Sequence, residues 1–196
     1  MEKTKAKTDG AQATIASRQI PDMVRIVHAI DPGPVRSGYV VYDRFSKRVL
    51  EAKVLPTSTL VDWIGGYANE PRLAFVCEMV ESYGAAIGAT TIATAIQIGR
   101  LDRALSCSKG CGGALYLLSR REVKLYLLGR ATGSDANVRD AIVSRYGPDR
   151  ERAFGKKNAP GPLYGVDKHA LSALALAITF CEKPDARMHW WVDLYP

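Results

Sequence analysis

An apolar segment that ends abruptly at a carboxylate places the strongest constraint on how this chain folds. Residues 24–31, VRIVHAID, have the composition of a buried strand and end at Asp31. A Pro-Gly-Pro turn follows, and a second apolar run, GYVVYD, occupies residues 38–43. A carboxylate beside a buried strand is costly unless it is hydrogen-bonded, paired with a cationic group or bound to a metal ion. Asp31 is therefore the first candidate functional residue.

The remaining periodicity predicts an alternation of strands and helices. Strands are predicted at residues 24–31, 38–43, 48–55, 73–80 and 114–118. Helices are predicted at residues 59–68, 87–106, 134–148 and 169–180, a short helix or turn at residues 121–129, and a long basic loop at residues 149–165. Short connections make the first three strands an antiparallel meander. Strands that alternate with helices in this order predict an α/β sheet with helices on its faces.

Length and composition predict one folded domain between two tails. The chain has 196 residues, of which 47% are hydrophobic, enough for a substantial core. Residues 1–22 are predicted to be a disordered polar tail, 23–182 the folded domain and 183–196 an aromatic C-terminal tail. No apolar run is long enough for a membrane helix, and the polar first residues lack the apolar core of a signal peptide. No membrane association is expected.

Charge and cysteine content narrow the choice of partner. The net charge of +7 and the pI near 9.3 favour a polyanionic partner such as nucleic acid, although a merely basic protein has the same balance. The four cysteines, expected to be reduced thiols, are Cys77, Cys107, Cys111 and Cys181. Cys107 and Cys111 lack a second Cys/His pair, so a zinc site is not expected. No small-molecule cofactor is predicted.

Acidic and ligand-capable residues lie at the ends of several buried elements. Asp31 ends the first strand, Glu78 lies near the end of the fourth, and Asp167 and His169 lie at the start of the last helix. If the first and fourth strands are neighbours, these side chains meet at one edge of the sheet. Clustered carboxylates repel one another and favour divalent cations. Hard oxygen ligands suit Mg²⁺ or Mn²⁺. Two such ions can hold the attacking oxygen and the leaving oxygen when a phosphodiester is cleaved.

Each of these residues also has a simpler explanation. Asp31 could be a turn former, and Glu81, three residues beyond Glu78, is an alternative acid. Asp167 could cap the last helix, and His169 could be an ordinary residue of its first turn. The metal-site hypothesis depends on the combination of these residues.

Three segments, in order, resemble the motifs of RuvC-type Holliday junction resolvases. IDPGPVRSGYVVYD resembles the first motif, FVCEMVESYG the second and VDKHALSALALAITF the last. The helix IGATTIATAIQIGRLDRAL lies where the family has a helix after the glutamate. The resemblance covers about residues 24–180, and SDANVRDAIVSRYGP and KKNAPGPLYGV are most similar to the bacteriophage and prophage branch.

The resemblance implies a ribonuclease H-like fold, with a mixed five-stranded sheet and helices on both faces. It also implies a homodimer that resolves four-way DNA junctions by paired symmetric nicks in the cytoplasm of a bacterial host. Mg²⁺, for which Mn²⁺ can substitute, would be bound as two ions per subunit. Residues 23–182 would then be a RuvC-like nuclease domain.

The resemblance implies that Asp31 and Glu78 correspond to catalytic, metal-binding acids of the family. The last motif departs from the family pattern, because the alignment places His169 at its first acidic position and Ser172, a poor metal ligand, at its second. Asp167 is then a candidate for the missing carboxylate. His169 is a candidate metal ligand or a group that protonates or orients the scissile phosphate.

Four further residues are candidates for contact with DNA. Lys124 occupies a position where the family has a basic residue near the active site, and it either offsets phosphate charge or is a solvated lysine. Lys156 and Lys157 are expected to contact DNA phosphates. Tyr83 either stacks on an unpaired base or packs in the core. The arginines of the helix at 134–148 are expected on its solvated face.

A two-fold dimer suits two symmetric cuts, and its interface is expected on the Ile-rich helix at 87–105.

The sequence leaves other functions open. An actin-like or sugar-kinase-like ATPase would need a second Gly-rich phosphate hairpin, which this sequence lacks. A catalytically weak branched-DNA-binding module is an alternative because of Ser172. A nuclease for other branched DNA, or for RNA hybrids, is another.

Overall fold

The computed structural model of the chain describes residues 20–67, 70, 72–82, 86–106 and 115–183. Five of its strands form one sheet in the order β3-β2-β1-β4-β5. The strands are β1 Ile26–Asp31, β2 Arg36–Asp43, β3 Arg48–Pro56, β4 Leu73–Met79 and β5 Leu115–Ser119. All five strands predicted from the sequence are present, with bounds shifted by at most two residues.

Strand directions make the sheet mixed. β1 pairs antiparallel with β2, and β2 with β3, which confirms the predicted meander. β4 pairs parallel with β1 on one side and with β5 on the other. Parallel neighbours bring their carboxyl ends to the same edge of a sheet, so β1, β4 and β5 all end at one edge.

Helices cover both faces of this sheet. They are α1 Thr57–Ile64, α2 Ala89–Ser106, α3 Arg120–Leu128, α4 Asp135–Tyr146, α5 Arg150–Phe154 and α6 Lys168–Glu182. On one face, α6 is apolar nearly all round, packs on β1 and β2 and forms a core with α3 and α4. On the other face, α1 and α2 bury Leu60, Ile64, Leu101 and Leu105. The predicted α/β sheet with helices on its faces is confirmed.

The prediction of a long basic loop at residues 149–165 is wrong. This segment contains α5 and a small antiparallel hairpin, β6 Gly155–Lys156 with β7 Ala159–Pro160. The Asp149 carboxylate caps α5 by accepting a hydrogen bond from the Arg152 amide. Ala153 and Leu163 anchor the segment, since both are fully buried in the α6 core. Two widely spaced apolar residues are too few to produce a detectable period.

Several predictions fall outside the described residues. These include Tyr83, Cys107, Cys111 and nearly all of both predicted tails. Ile20 is described and packs against the α6 core, but the division into tails and a domain otherwise stays a prediction. Cys77 and Cys181 are free thiols. In the described part of the chain, no helix is long and apolar enough to cross a membrane.

Candidate active site

The sheet register brings Asp31 and Glu78 side by side. Ile30 of β1 pairs with Cys77 of β4, so the residues that follow them emerge from adjacent strands on the same face. Their side chains are 22% and 21% exposed, respectively. Both line a cavity of about 620 Å³ at the carboxyl edge of the parallel strands. The predicted meeting of these two acids therefore follows from neighbouring parallel strands.

Burial makes ionisation of this acid pair unfavourable. Desolvation raises the pKa of Glu78 to about 7; the Arg120 guanidinium opposes that rise, and the negative charge of Asp31 adds to it. Desolvation also raises the pKa of Asp31, against the opposing effects of Arg120 and His169. A cation between the two carboxylates would relieve both the burial cost and the repulsion.

The start of α6 adds a histidine and a serine to the cavity. His169 Nδ1 lies 3.8 Å from Asp31 Oδ2, and both His169 and Ser172 line the cavity. Asp167 has a different position, because its Oδ1 caps α6 by accepting hydrogen bonds from the His169 and Ala170 amides at 2.8 and 2.9 Å. It is not among the residues that line the cavity. The helix-cap alternative for Asp167 is thus observed, and its role as a metal ligand stays a prediction.

The same cavity has a basic rim. Lys124, a predicted site residue, lines it together with three basic side chains that sequence reasoning missed, namely Arg120, Arg139 and Lys168. An acid, Asp135, was missed as well. The only sequence signal for Arg120 was its position directly after a strand, which becomes informative once β5 is known to lie beside β4.

The two arginines of α4 differ in their surroundings. Arg145 is exposed, as predicted, whereas Arg139 is only partly exposed and lines the cavity. Arg145 Nη1 donates to Glu182 Oε2 at 2.5 Å, and its guanidinium lies over the Tyr126 ring. Arg139 is therefore a candidate for phosphate contact, whereas Arg145 connects α4 to the end of α6.

The other candidates lie away from this cavity. Lys156 and Lys157 are exposed on the β6–β7 hairpin, where Lys156 Nζ is 3.8 Å from Glu151 Oε1. Their contact with DNA stays a prediction. Glu81 lines a smaller adjoining cavity of about 230 Å³, which Asp31 and Glu78 also line. Glu78 borders both cavities, which favours it over Glu81 as the principal acid.

The side chains of this cavity fit a magnesium ion whose coordination shell is completed by substrate and water. Within the described ranges, no group of three or more His, Cys, Asp or Glu side chains is arranged to hold a metal ion. Mg²⁺, however, is commonly bound through one or two carboxylates, with waters and substrate phosphates as its other ligands. Asp31 and Glu78 provide two such carboxylates, half-buried, adjacent and facing an open cavity. His169 is a further nearby donor.

Gly38 lets α6 approach the sheet closely at this site. It pairs with Asp31, and a Cβ built on it would lie 2.3 Å from the His169 carbonyl oxygen. Gly38→Ala should therefore push the start of α6 away from β2. We expect a loss of about 1–3 kcal/mol in the free energy of unfolding. Urea denaturation measures this loss.

The matched control is Gly66→Ala, because a Cβ on Gly66 meets no atom within 4 Å. That variant should change stability by less than about 0.5 kcal/mol. Equal stabilities for Gly38→Ala and the unmodified chain would contradict the close approach of α6 to β2.

Comparison with known proteins identifies the fold. No family model and no curated protein matches the chain. The structure of Thermus thermophilus RuvC is similar, with a TM-score of 0.58 and 20% identity, covering 84% of this chain and 99% of that one. A structure of T. thermophilus RuvC in complex with a Holliday junction substrate has a TM-score of 0.52 and 20% identity, covering 79% and 92%. The chain has this ribonuclease H-like α/β fold, as predicted.

Proposed function

We propose that this chain is a metal-dependent, structure-selective DNA endonuclease that resolves four-way (Holliday) junctions. The observation that carries the proposal is the half-buried pair Asp31 and Glu78 in a cavity with a basic rim. Such a site attracts both divalent cations and a phosphodiester. The fold supports the same function, since a RuvC structure of this fold was solved with a Holliday junction substrate.

The basic side chains suit a DNA backbone. Lys124, Arg139 and Lys168 line the cavity, and the whole chain has a net charge of +7. Such cations neutralise phosphates and position a duplex without reading its sequence. Lys156 and Lys157, exposed on the β6–β7 hairpin, would extend this contact, and Tyr83 is a candidate for stacking on an unpaired base. A bacteriophage or prophage origin and action in the bacterial cytoplasm belong to the same hypothesis.

Asp31 and Glu78 would hold Mg²⁺ or Mn²⁺, with Asp167 and His169 as further candidate ligands. Two bound ions would supply an activated water and Lewis-acid stabilisation of the leaving oxygen. Lys124 would offset the negative charge that develops on the phosphate. His169, beside Asp31, would orient the phosphate or donate a proton. Cleavage of the P–O3′ bond leaves a 5′-phosphate and a 3′-hydroxyl.

A homodimer would place two such sites for paired symmetric nicks. Exposed isoleucines on one side of α2, and just before it, support an interface there. Ile87, Ile92 and Ile96 are 58%, 53% and 58% exposed, whereas Ile98, Leu101 and Leu105 on the other side of the helix are buried. A second copy of the chain would cover these three isoleucines.

A cleavage assay tests the proposed function. The purified chain is incubated with a synthetic four-way junction, a linear duplex and a flap, each in Mg²⁺ or EDTA. Paired symmetric nicks in the junction alone, and only with metal, are the expected result. Equal cutting of linear duplex would contradict junction resolution. Cutting of the flap in preference to the junction would favour the alternative, a nuclease for other branched DNA.

A second candidate function is a catalytically weak module that binds branched DNA. The observation that favours it is Ser172, which lines the cavity where the resolvase motif places an acid. Tight junction binding without cutting, in both Mg²⁺ and Mn²⁺, would support this function. Substituting Ser172→Asp would then be expected to create cleavage.

The pKa of Glu78 predicts a metal-dependent pH profile. Burial raises that pKa to about 7, and only the ionised form binds a cation well. At a limiting Mg²⁺ concentration, cleavage should therefore rise as the pH increases through about 7 and fall below it. A higher Mg²⁺ concentration should shift the midpoint to lower pH, because the metal competes with the proton. Single-turnover rates at several Mg²⁺ concentrations measure this shift.

A midpoint that does not depend on Mg²⁺ would assign the profile to another group. Rates that rise log-linearly with pH at every Mg²⁺ concentration would indicate hydroxide dependence instead. The shift with metal concentration is thus the diagnostic result.

A further inference from the structure

We propose that Arg120, held by Asp135, is a further catalytic residue. In the metal-free chain the Arg120 guanidinium pairs with Glu78, and it contacts the scissile phosphate once Glu78 binds a divalent ion. This inference rests on the proposed nuclease function. It assigns roles to two residues of the cavity that the sequence motifs did not identify.

The position of Arg120 follows from the sheet and from a helix cap. β5 ends at Ser119, which pairs with Met79 of β4, so Arg120 emerges one residue beyond the strand edge that carries Glu78. Ser119 and Glu122 form a capping box in which each side chain accepts a hydrogen bond from the backbone amide of the other residue. The backbone of Arg120, the first residue of α3, is therefore well fixed beside the acid pair.

The guanidinium of Arg120 is divided between two carboxylates. Nη2 lies 2.8 Å from Asp135 Oδ1, and Nη1 lies 3.4 Å from Glu78 Oε2. An arginine that pairs with a single carboxylate commonly makes two parallel bonds of about 2.7–2.9 Å. The contact with Glu78 is thus long and single. Of the two contacts, it is the one more easily exchanged.

Charge balance explains why the contact with Glu78 would be exchanged. The Arg120 side chain is only 20% exposed and lines both cavities that border the acid pair. A divalent ion bound by Glu78 would satisfy that carboxylate and repel the nearby guanidinium. Arg120 would keep its shorter bond to Asp135, which is 66% exposed at the start of α4. The Nη1 side of the Arg120 guanidinium would then be available to a phosphate in the cavity.

Asp135 holds a second cation at the same place. Lys124 follows Arg120 by one helical turn, and its Nζ lies 3.7 Å from Asp135 Oδ1. Asp135 thus presents a guanidinium and an ammonium together to the cavity. The planar guanidinium fork matches two phosphate oxygens, which an ammonium cannot do. It would stabilise the charge that develops on the phosphate during cleavage. Asp135 would act as a positioning residue, through these two cations.

The test compares Arg120→Ala with Arg121→Ala, which removes the same charge from an exposed neighbour that does not line the cavity. Mn²⁺ affinity without DNA is measured by titration calorimetry, and junction cleavage under single turnover at saturating Mg²⁺. Arg120→Ala should bind Mn²⁺ about fivefold more tightly, because a competing cation is gone. The same variant should cleave about 100-fold more slowly. Arg121→Ala should change both quantities by less than about twofold.

Opposite changes in the two quantities distinguish this role from a structural one. A variant that is merely misfolded would bind Mn²⁺ more weakly and cleave more slowly. Arg120→Lys keeps the charge, so it should restore the lower Mn²⁺ affinity and recover part of the cleavage rate. Asp135→Ala should slow cleavage about tenfold in the unmodified chain, but much less in the Arg120→Ala background, because the two residues act together.

Unchanged cleavage in Arg120→Ala, or Mn²⁺ binding that is no tighter, would overturn the inference. Additive effects of the Arg120 and Asp135 substitutions would overturn the positioning role of Asp135. An unmodified chain that cuts no junction would overturn the proposed function and, with it, the phosphate contact. The Mn²⁺ titration needs no DNA, so it would still decide whether Arg120 competes with a metal ion.

Discussion

Asp31→Asn is expected to slow junction cleavage by more than about 10³-fold and to leave junction affinity within about twofold of the unmodified chain. Asparagine has almost the same size and keeps an oxygen donor, but it lacks the charge that favours a divalent cation. The basic rim, which would contact the DNA backbone, is unchanged. Cleavage is measured under single turnover in Mg²⁺, and affinity by gel shift in EDTA.

Stability should not fall in this variant. Burial raises the pKa of Asp31, so ionisation of this residue is unfavourable in the metal-free fold. The neutral side-chain amide of the introduced asparagine would avoid that cost. Thermal denaturation of Asp31→Asn in EDTA should therefore give a Tm equal to or above that of the unmodified chain.

The matched control for this prediction is Asp62→Asn, at an exposed position on α1, which packs on the opposite face of the sheet. This control should cleave and bind like the unmodified chain. Loss of junction binding together with cleavage in Asp31→Asn would assign Asp31 a structural role. Full cleavage in Asp31→Asn would remove it from the metal site.

Glu78→Gln is expected to abolish cleavage and also to stabilise the metal-free protein at pH 8 by about 2–3 kcal/mol. The folded state raises the pKa of Glu78 from 4.5 to about 7, chiefly because burial disfavours the charged form. The folded chain thus holds this proton more tightly than the unfolded chain. The resulting stability is present below about pH 4.5 and is lost as the pH rises through about 7. Glutamine imitates the protonated acid and should avoid the loss.

Urea denaturation at pH 5 and pH 8, with and without Mg²⁺, measures this effect. The advantage of Glu78→Gln over the unmodified chain should be several-fold larger at pH 8 than at pH 5. Mg²⁺ should stabilise the unmodified chain at pH 8, because the ion binds only the folded state, and should stabilise the variant little. Comparing the two chains at each pH cancels the titration of the groups that do not interact with Glu78.

Glu151→Gln is the control, since the Glu151 carboxylate is 84% exposed. Its stability should follow that of the unmodified chain at both pH values. If Glu78→Gln proved less stable than the unmodified chain at pH 8, the ion pair with Arg120 would outweigh the cost of burying Glu78. Such a result would also weaken the pH profile expected for cleavage.

Much of the fold was predictable because its signals are local. The apolar runs that end at Asp31 and Glu78 predicted two buried strands, and the short turns before residues 38–43 and 48–55 predicted antiparallel neighbours. The convergence of the two acids followed from one further assumption, that the first and fourth strands are neighbours. β1 and β4 are paired in that way.

The segment at residues 149–165 was not predictable for the opposite reason. Its content of Gly, Pro, Lys and Arg is typical of a loop, yet Ala153 and Leu163 bury it against the α6 core. Asp167 illustrates a related difficulty. A carboxylate before an apolar helix is suited both to capping and to metal binding, and only the hydrogen bonds to the His169 and Ala170 amides reveal the cap.

The strands, most of the helices and the two acids at strand ends were predictable from the sequence, because strand periodicity, caps and turns depend on neighbouring residues. The charges that surround those acids were not predictable in this way. Arg120 lies 42 residues after Glu78 in the chain, and its partner Asp135 begins a different helix. The pairing of β5 with β4 and the packing of α4 against α3 bring these residues together. The charge balance of the site is therefore a property of the fold, since it depends on distances in space that no local pattern encodes.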